Sequence, residues 1–295
     1  MNIKLIAIDM DGTLLYSRNE ITPRVKQAVL AAAEKGVKIV ISTGRIYSSA
    51  RQYTRLLGIE TPIISSNGAL IRKDDENLYK CSIPRDALEE ATNLLIDYDD
   101  IYYRMYGDEV YYSKKENKAV KDFMNWNEGQ KPEEQIKVKI ISNPLEIFRE
   151  GEDILKMFIV QEETRQKRYD ELIRKLSEIK GVYCVSSMPK SMDVINKNVS
   201  KGHALEHLAK RYNITSDNIM AIGDNYNDID SSFEGCKDNI IYRLISKEKN
   251  LELLKTIPYM EFCDLAIIFC TLVSISNKGI ETIKITNSWL KRWEL

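Results

Sequence analysis

The chain has 295 residues, of which 43% are hydrophobic and 29% are charged, and its formal net charge is -1. This length suggests about two domains, and the balanced charge gives no electrostatic reason to expect nucleic acid or an anionic membrane as a partner. The first residues lack the pattern of a signal peptide, and the late apolar run at residues 265–270 is far shorter than the roughly 20 residues that cross a bilayer. We therefore expect a cytoplasmic protein, and the sequence leaves its oligomeric state open.

Apolar runs and helical patterns alternate over residues 1–83. Each apolar run is almost unbroken, as expected for a strand buried on both faces of a parallel sheet. Thr22 and Pro23 are start signals for the first helix, and Gly36 and Gly58 follow the ends of the two helices. The alternation predicts an α/β fold with a doubly wound, Rossmann-like parallel-sheet core. Strands are predicted at residues 3–9, 37–41 and 62–65, and helices at about 23–35 and 46–57.

The pattern changes near Pro84. Helices there are accompanied by tyrosine-rich strands, and Gly107 and Asp108 separate two of these strands as a hairpin turn does. We interpret residues 84–191 as an inserted α+β domain and residues 192–235 as the second part of the core domain. Helices are predicted at about residues 85–97 and 164–179, and strands at 101–106, 109–112, 155–160, 182–186 and 218–222.

Two aspartates, Asp9 and Asp11, follow the first predicted strand directly. Residues i and i+2 of an extended chain point the same way, so both carboxylates can face one cleft at the carboxyl edge of the sheet, where open α/β sheets bind ligands. Gly12 permits a sharp turn away from the strand. A strand end followed by a plain polar turn is the alternative interpretation.

A second acidic segment, residues 224–228, follows the strand predicted at residues 218–222. Carboxylates gathered at one sheet edge repel one another unless a cation lies among them. A hard ion such as Mg²⁺ suits aspartate ligands and needs no His or Cys. The alternative is a helix start with aspartate caps, but the occurrence of two acidic motifs at two buried strand ends argues against it.

Thr43 and Lys201 complete the requirements of a phosphate site. Thr43 ends the second strand and is followed by backbone N–H groups at a predicted helix start, which suit an anion. Lys201 precedes a helix and carries a compact positive charge. Each is commonplace alone, but a carboxylate that attacks an anionic phosphoryl group needs cations and donors that offset the repulsion.

These segments occur in an order and spacing that resemble a known family. The segments are Asp9-Met10-Asp11-Gly12-Thr13-Leu14, Ser42-Thr43-Gly44-Arg45, Ser66-Asn67-Gly68-Ala69, Lys201 and Gly223-Asp224-Asn225-Tyr226-Asn227-Asp228. They resemble the ordered motifs of the haloacid dehalogenase superfamily. The Asn67 segment, together with a domain inserted after the third strand, is similar to the Cof-type phosphatase branch. The resemblance covers about residues 3–230.

The resemblance implies a magnesium-dependent phosphatase that forms an aspartyl-phosphate intermediate. Asp9 would be the nucleophile, and Asp11 would protonate the leaving oxygen and then activate water. Phosphoryl oxygens would be held by residues of three motifs, with the inserted domain acting as a cap that selects a small phosphorylated metabolite. The implied phosphate- and substrate-binding residues are Thr43, Gly44, Arg45, Asn67, Lys201 and Asn227.

The resemblance also implies the ligands of the metal. Mg²⁺ would be bound by Asp9, Asp11 through its carbonyl, and Asp224, with Asp228 acting through water. Among the alternatives, a dehalogenase is disfavoured because it has no alkoxide for Asp11 to protonate, and an ion-pumping ATPase because no membrane spans occur. A phosphomutase would use the same residues. A non-catalytic protein that binds a phosphorylated ligand on the same fold is the alternative from a different class.

The resemblance ends inside the last motif-bearing helix. Family members continue with a Met-containing helix and a short strand, whereas nothing after residue 235 restores that pattern. We treat residues 236–295 as an atypical C-terminal segment, either a folded replacement or the product of a shifted reading frame, and favour the second explanation. The expectation is a segment that packs poorly against the core.

Overall fold

A computed structural model describes residues 3–15, 20–132, 135–161, 165–186 and 190–223. Its strands form two six-stranded sheets, which confirms the predicted α/β class with an inserted α+β part. The expectation for residues 236–295 lies outside the described residues.

The first sheet carries the predicted Rossmann-like core. Its strand order is β12-β1-β2-β3-β4-β5, with β12, β1, β2 and β3 parallel. Its strands are β1 (Leu5–Asp9), β2 (Lys38–Ser42), β3 (Ile63–Ser65), β4 (Leu70–Lys73), β5 (Glu76–Lys80) and β12 (Ile219–Ile222), and its helices are α1 (Pro23–Glu34), α2 (Tyr47–Leu57) and α7 (Lys201–Arg211).

Helices cover both faces of this sheet because successive side chains of β1 point in opposite directions. Ile6 and Ile8 pack in one hydrophobic cluster with residues of α1 and α2. Leu5 and Ala7 pack in another cluster with residues of α7. Each fully buried large aliphatic side chain contributes about 1.5–3 kcal/mol, so the strand that ends at Asp9 is held firmly from both sides.

The edge of the first sheet differs from the predicted all-parallel arrangement. After β3 the chain turns back through Ser66–Gly68 and forms the antiparallel strands β4 and β5. The reversal uses left-handed backbone at Ser66 (φ 49°) and Asn67 (φ 60°), and positive φ at Gly68. The sequence prediction missed this hairpin, so the core sheet is mixed rather than purely parallel.

The second sheet is built mainly from antiparallel strands in the order β10-β11-β9-β6-β7-β8. Its last strand, β11, continues to Asn196, past the boundary predicted at residue 191. The strands are β6 (Tyr102–Tyr106), β7 (Val110–Ser113), β8 (Lys137–Ile140), β9 (Lys156–Val160), β10 (Val182–Val185) and β11 (Ser191–Asn196), and the helices are α3 (Arg85–Asp97), α4 (Lys118–Asn127), α5 (Ile147–Glu150) and α6 (Gln166–Glu178).

The two faces of the second sheet have different neighbours. Tyr103 and Met105 of β6, with Met157 and Ile159 of β9, share a hydrophobic cluster with residues of α3 and α6. Side chains at alternate positions of the same strands point to the other side. We call that other side the inner face, because its side chains contact the loops of the first sheet.

Candidate active site

Asp9 is the last residue of β1, and its side chain is almost fully buried. Its Cα partner in β2 is Ser42, the residue before Thr43. The carboxyl ends of parallel strands meet at one edge of a sheet, so Asp9 and Thr43 lie together at that edge. This is the place where open α/β sheets bind ligands.

Lys201 makes a buried ion pair with Asp9. The distance from Lys201 Nζ to Asp9 Oδ1 is 2.5 Å, and the two side chains are only 6% and 7% exposed. Lys201 is the first residue of α7, whose N-cap is Ser200; the Ser200 hydroxyl accepts a hydrogen bond from the His203 N–H at 3.0 Å. A cation at this distance offsets the cost of burying the carboxylate, so the structure joins two side chains that lie 192 positions apart in sequence.

Gly68 sets how closely the chain before Lys201 approaches the turn after β3. Its φ is +101°, and a Cβ at this position would overlap with the backbone carbonyl oxygen of Ser200. Only glycine allows both the conformation and the contact. The turn at Ser66–Gly68 thereby fixes the start of α7 and, with it, the position of the Lys201 side chain.

The loop after β2 is held by hydrogen bonds in which Thr43 takes part three times. Its N–H donates to the Ile64 carbonyl at 2.8 Å, and its own carbonyl accepts from the Asn67 N–H at 3.1 Å. Its hydroxyl oxygen accepts from the Arg45 N–H at 3.1 Å. The helix α2 begins at Tyr47, four residues after Thr43. Thr43 and Gly44 therefore lie in a loop before the helix and not at the helix start that was predicted.

Arg45 binds Asp11 with two hydrogen bonds. Its Nε lies 2.9 Å from Asp11 Oδ2 and its Nη2 lies 2.5 Å from Asp11 Oδ1, and its Nη1 donates to the Tyr53 hydroxyl at 3.1 Å. Burial lowers the pKa of Arg45, but the hydrogen bonds and charge of Asp11 outweigh it and raise the pKa above its ordinary value. Arg45 was predicted as a substrate ligand; in the structure its guanidinium orients the second aspartate.

Asn67 lies at the junction of the two sheets. Its side-chain Nδ2 donates to Asp193 Oδ2 of β11 at 2.7 Å. Gly44 is close to it, since a Cβ on Gly44 would come within 2.7 Å of Asn67 Oδ1. The sequence predicted Gly44 and Asn67 as phosphate or substrate ligands, and the structure places both beside the inner face of the second sheet.

A second buried ion pair, which sequence reasoning missed, completes this junction. Lys156 Nζ of β9 lies 3.1 Å from Asp193 Oδ1, with the side chains 4% and 0% exposed. The same ammonium donates to the Gly44 carbonyl at 2.8 Å and lies 4.7 Å from the ring centroid of Tyr106. The available signal was a charged residue inside each of two apolar strands, because Lys and Asp are rarely fully buried without a partner.

The predicted metal ligands are only partly within the described residues. Asp9 and Asp11 are described, whereas Asp224, Asn227 and Asp228 are not. Strand β12 pairs with β1 so that Ile222 is opposite Ile8, and Gly223 and Asp224 follow Ile222 in sequence. Over the described ranges, no group of three or more His, Cys, Asp or Glu side chains is placed to hold a metal. The oxygen donors that are present are of the type that Mg²⁺ prefers.

The model of the haloacid dehalogenase-like hydrolases matches residues 6–230, which include every described residue of the site. The chain belongs to this family. The resemblance inferred from the motifs, including the Cof-type branch, is thereby confirmed.

Relatives of this hydrolase are named phosphatases. Phosphatase YwpJ of Bacillus subtilis is 27% identical over 77% of this chain and 85% of that protein. The 5-amino-6-(5-phospho-D-ribitylamino)uracil phosphatase YcsE of the same organism is 28% identical over 78% of this chain and 80% of that protein. A solved haloacid dehalogenase-like hydrolase from B. subtilis has a TM-score of 0.65 and 26% identity, covering 77% of this chain and 85% of its own. The chain is thus a hydrolase of phosphate esters.

A second family model, described as a family of unknown function, matches residues 190–295. This match starts within the hydrolase match and runs through the atypical segment at 236–295. The segment at residues 236–295 thus resembles a second family, and the explanation for its departure from the hydrolase pattern stays a prediction.

No helix in the described part of this hydrolase combines the length and the apolar composition that a membrane span requires.

Proposed function

We propose that this hydrolase is a magnesium-dependent phosphatase that cleaves a small phosphorylated metabolite through an aspartyl phosphate at Asp9. The observation that carries the proposal is the buried Asp9 carboxylate at the end of β1, with the Lys201 ammonium 2.5 Å away. The ion pair with Lys201 fixes the direction of this carboxylate and offsets the cost of its burial. The carboxylate can therefore act as a nucleophile toward a phosphoryl group placed at the sheet edge.

In the first half of the reaction, Asp9 attacks phosphorus. The bond from a carboxylate oxygen to phosphorus forms as the bond from phosphorus to the leaving oxygen breaks. Asp11 gives a proton to the leaving oxygen, so that an alcohol departs rather than an alkoxide. Half of the Asp11 side chain is exposed, so it can reach a leaving group that enters from the cleft.

In the second half, water attacks the phosphorus of aspartyl phosphate. Asp11, now ionised, takes a proton from the water, and the bond from phosphorus to the Asp9 oxygen breaks. Phosphate is released and Asp9 returns to its carboxylate form. Arg45 holds the ionised form of Asp11 by two hydrogen bonds, which we interpret as positioning this carboxylate to activate water.

Lys201 and Thr43 would stabilise the charge on the transferring group. The Lys201 ammonium and the Thr43 hydroxyl lie at the same edge of the sheet as Asp9. The backbone N–H of Gly44, the next residue after Thr43, would be a third donor. Fixed donors aimed at developing charge lower the barrier, and one such donor typically raises kcat by a factor of about 10²–10³. Asn227 would add a side-chain amide to the same group of donors.

Mg²⁺ would be held by Asp9, by Asp11 and by Asp224, with Asp228 contributing through water. When bound, the ion supplies positive charge that screens the two anions that must approach each other. The pairing of β12 with β1 supports this assignment, because it brings the strand that precedes Asp224 alongside the strand that ends at Asp9.

The position of the second sheet and the names of the relatives support the proposed substrate class. The inner face of the second sheet contacts the loops at Gly44 and Asn67, so this sheet would lie over the leaving group and exclude water during transfer. The YcsE name describes a phosphorylated ribitylaminouracil as that enzyme's substrate. A phosphorylated metabolite of comparable size is the substrate class that we propose here.

Hydrolysis of p-nitrophenyl phosphate by purified protein tests this proposal. The parent should turn over, and Asp9→Asn should lose about 10⁴-fold or more, as removal of a catalytic nucleophile does. Asp122→Asn makes the same chemical change at an exposed position on α4 and should behave like the parent. Activity of Asp9→Asn within tenfold of the parent would refute the mechanism.

A further inference from the structure

The inner face of the second sheet carries more than the pair that joins the sheets. In β6 the side chains of Tyr102, Arg104 and Tyr106 point away from the helices, because Tyr103 and Met105 pack against them. Lys156 and Asp193 project from the same face and contact Gly44 and Asn67. Arg104 therefore lies on the side of the sheet that is turned toward the candidate active site.

The guanidinium of Arg104 lies beside two aromatic rings. Its Cζ is 4.7 Å from the ring centroid of Phe158 and 5.5 Å from that of Tyr102. The residue is half-buried and is the only member of β6 that is not fully buried. Aromatic neighbours restrict the side chain and place a planar set of donors at a fixed position.

Within the described residues, the groups that act most strongly on the charge of Arg104 are the tyrosines Tyr106, Tyr111 and Tyr102, with no carboxylate among them. The Nε of Arg104 is buried, and no described residue accepts a hydrogen bond from it. On the same face, Lys156 is balanced by Asp193. The hydrogen-bond acceptor of the Arg104 side chain is Tyr106, a neutral phenol. A cation removed from water is best compensated by an anion, so Arg104 is a positive site suited to an anionic ligand.

The register of the strands locates Arg104 relative to Asp193, which contacts the first sheet. Arg104 is paired with Phe158, and Phe158 is paired with Asp193. Two strand spacings separate Arg104 from Asp193, roughly 10 Å between backbones. Asp193 accepts a hydrogen bond from Asn67, whose N–H donates to the carbonyl of Thr43. A leaving group that extends from the sheet edge across the inner face would approach Arg104.

We propose that Arg104 binds a second anionic group on the leaving group of the substrate, either a carboxylate or a second phosphate. The inference rests on the proposed phosphatase function and narrows its substrate class to phosphate esters that carry another anion. A guanidinium offers parallel N–H donors that match both carboxylate and phosphate. Arg104 is thus a specificity-determining residue of the second sheet.

The first test uses the parent protein and matched substrates. The pair 3-phosphoglycerate and glycerol 3-phosphate differs by a carboxylate, and the pair fructose 1,6-bisphosphate and fructose 6-phosphate differs by a phosphate. The anion-bearing member of at least one pair should have the higher kcat/KM, on the order of thirtyfold, and the pair that shows the preference identifies the anion. Equal values in both pairs would overturn the inference.

The second test asks whether Arg104 causes the preference. In Arg104→Met the ratio of the two kcat/KM values should fall to about one, and Arg104→Lys should retain part of it. The ratio is the readout because a general loss of activity cancels in it. Arg174→Met, at an exposed position on α6, is the control and should leave the ratio unchanged. A variant of Arg104 that keeps the parent ratio while both rates fall would show a purely structural role.

Failure of the inference can be told apart from failure of the proposed function. Binding of 3-phosphoglycerate and of glycerol 3-phosphate to Asp9→Asn can be measured by calorimetry without turnover. Tighter binding of the carboxylate ligand that depends on Arg104 supports the inference even in an inactive protein. Turnover of p-nitrophenyl phosphate by the parent, with equal binding of the two ligands, would leave the phosphatase proposal in place and overturn the role of Arg104 for carboxylates.

Discussion

The molecule contains two buried lysine–aspartate pairs that differ in position more than in chemistry. Lys201 and Asp9 lie at the carboxyl edge of the first sheet, 2.5 Å apart. Lys156 and Asp193 lie on neighbouring strands of the second sheet, with Lys156 Nζ 3.1 Å from Asp193 Oδ1. From the inner face of that sheet, Lys156 also contacts the Gly44 loop of the first sheet. Both pairs are almost inaccessible to water, so burial alone does not indicate catalysis.

The two pairs differ in the residues that surround them. Asp9 lies at the carboxyl edge of the first sheet with Asp11 two residues further on, whereas Asp193 and Lys156 bind Asn67 and Gly44. We assign the first pair to the reaction and the second to holding the two sheets in register around it. The predictions below separate these roles.

Removal of divalent cations is expected to have the largest effect. Activity on p-nitrophenyl phosphate should disappear in EDTA and return with Mg²⁺, because Asp9 and Asp11 lie where the ion would bind. Ca²⁺ should fail to restore it, since that ion takes more ligands at longer distances. An ion that binds only the folded protein also stabilises it, so the thermal midpoint should fall in EDTA, although the Lys156–Asp193 pair lies outside this site. Full activity in the chelator would contradict the metal assignment.

Loss of the two lysines should affect turnover very differently. Lys201→Met removes a cation beside the nucleophile and should lower kcat by about 10²–10³-fold. Lys156→Met removes a charge that contacts only protein groups and should lower kcat less than about tenfold at temperatures where the protein is folded. Measurement of kcat and KM for both variants checks this, and equal losses would mean that the two pairs are not functionally distinct.

Loss of Lys156 should affect the stability of the folded protein more than its activity. Lys156→Met leaves Asp193 buried without its cation, and breaking a buried pair in this way costs about 3–5 kcal/mol. The double variant Lys156→Met, Asp193→Leu should recover most of that free energy, because it removes both charges together. Denaturant unfolding of the two variants tests this, and a double variant no more stable than Lys156→Met would refute it.

Substitution of Gly68 should cost more stability than substitution of another glycine that also has a positive φ. Gly68→Ala should be less stable than Gly36→Ala by about 1–3 kcal/mol, because its Cβ would overlap with the Ser200 carbonyl. Gly36 also has positive φ but nothing within 4 Å of the added Cβ. Comparison of the two unfolding free energies gives the measurement. If the two variants have the same stability, the close approach to Ser200 does not constrain the start of α7.

The sequence assigns Asp9 and Lys201 to one site, although not as an ion pair, and it does not indicate the Lys156–Asp193 pair; both outcomes have physical reasons. Asp9 and Lys201 each stand at the end of a recognisable element, and the parallel arrangement brings such ends to one edge. Lys156 and Asp193 lie inside strands whose pairing is antiparallel and long-range, and nothing local indicates that pairing. Alternation within a strand shows that two residues share a face, but it does not show what that face contacts.

Other differences from the sequence prediction have similar causes. The hairpin of β4 and β5 depends on left-handed backbone at Ser66 and Asn67, for which serine gives no warning. Strand β8 alternates lysine with Val138 and Ile140, but it has only four residues and is largely exposed, so the pattern is too short to indicate a strand. The parallel strands β1 and β2 were predicted within one or two residues because buried strands are continuous apolar runs.

Direct capture of the covalent intermediate tests the central claim most directly. Acid quenching during turnover of p-nitrophenyl phosphate, followed by proteolysis and mass spectrometry, should show one phosphoryl group on the peptide that contains Asp9. Asp11→Asn should accumulate at least as much of this species, because water activation is impaired, and Asp9→Asn should show none. Burst-phase product without any phosphorylated Asp9 peptide, or the phosphoryl group on another residue, would contradict the assignment of Asp9 as the nucleophile.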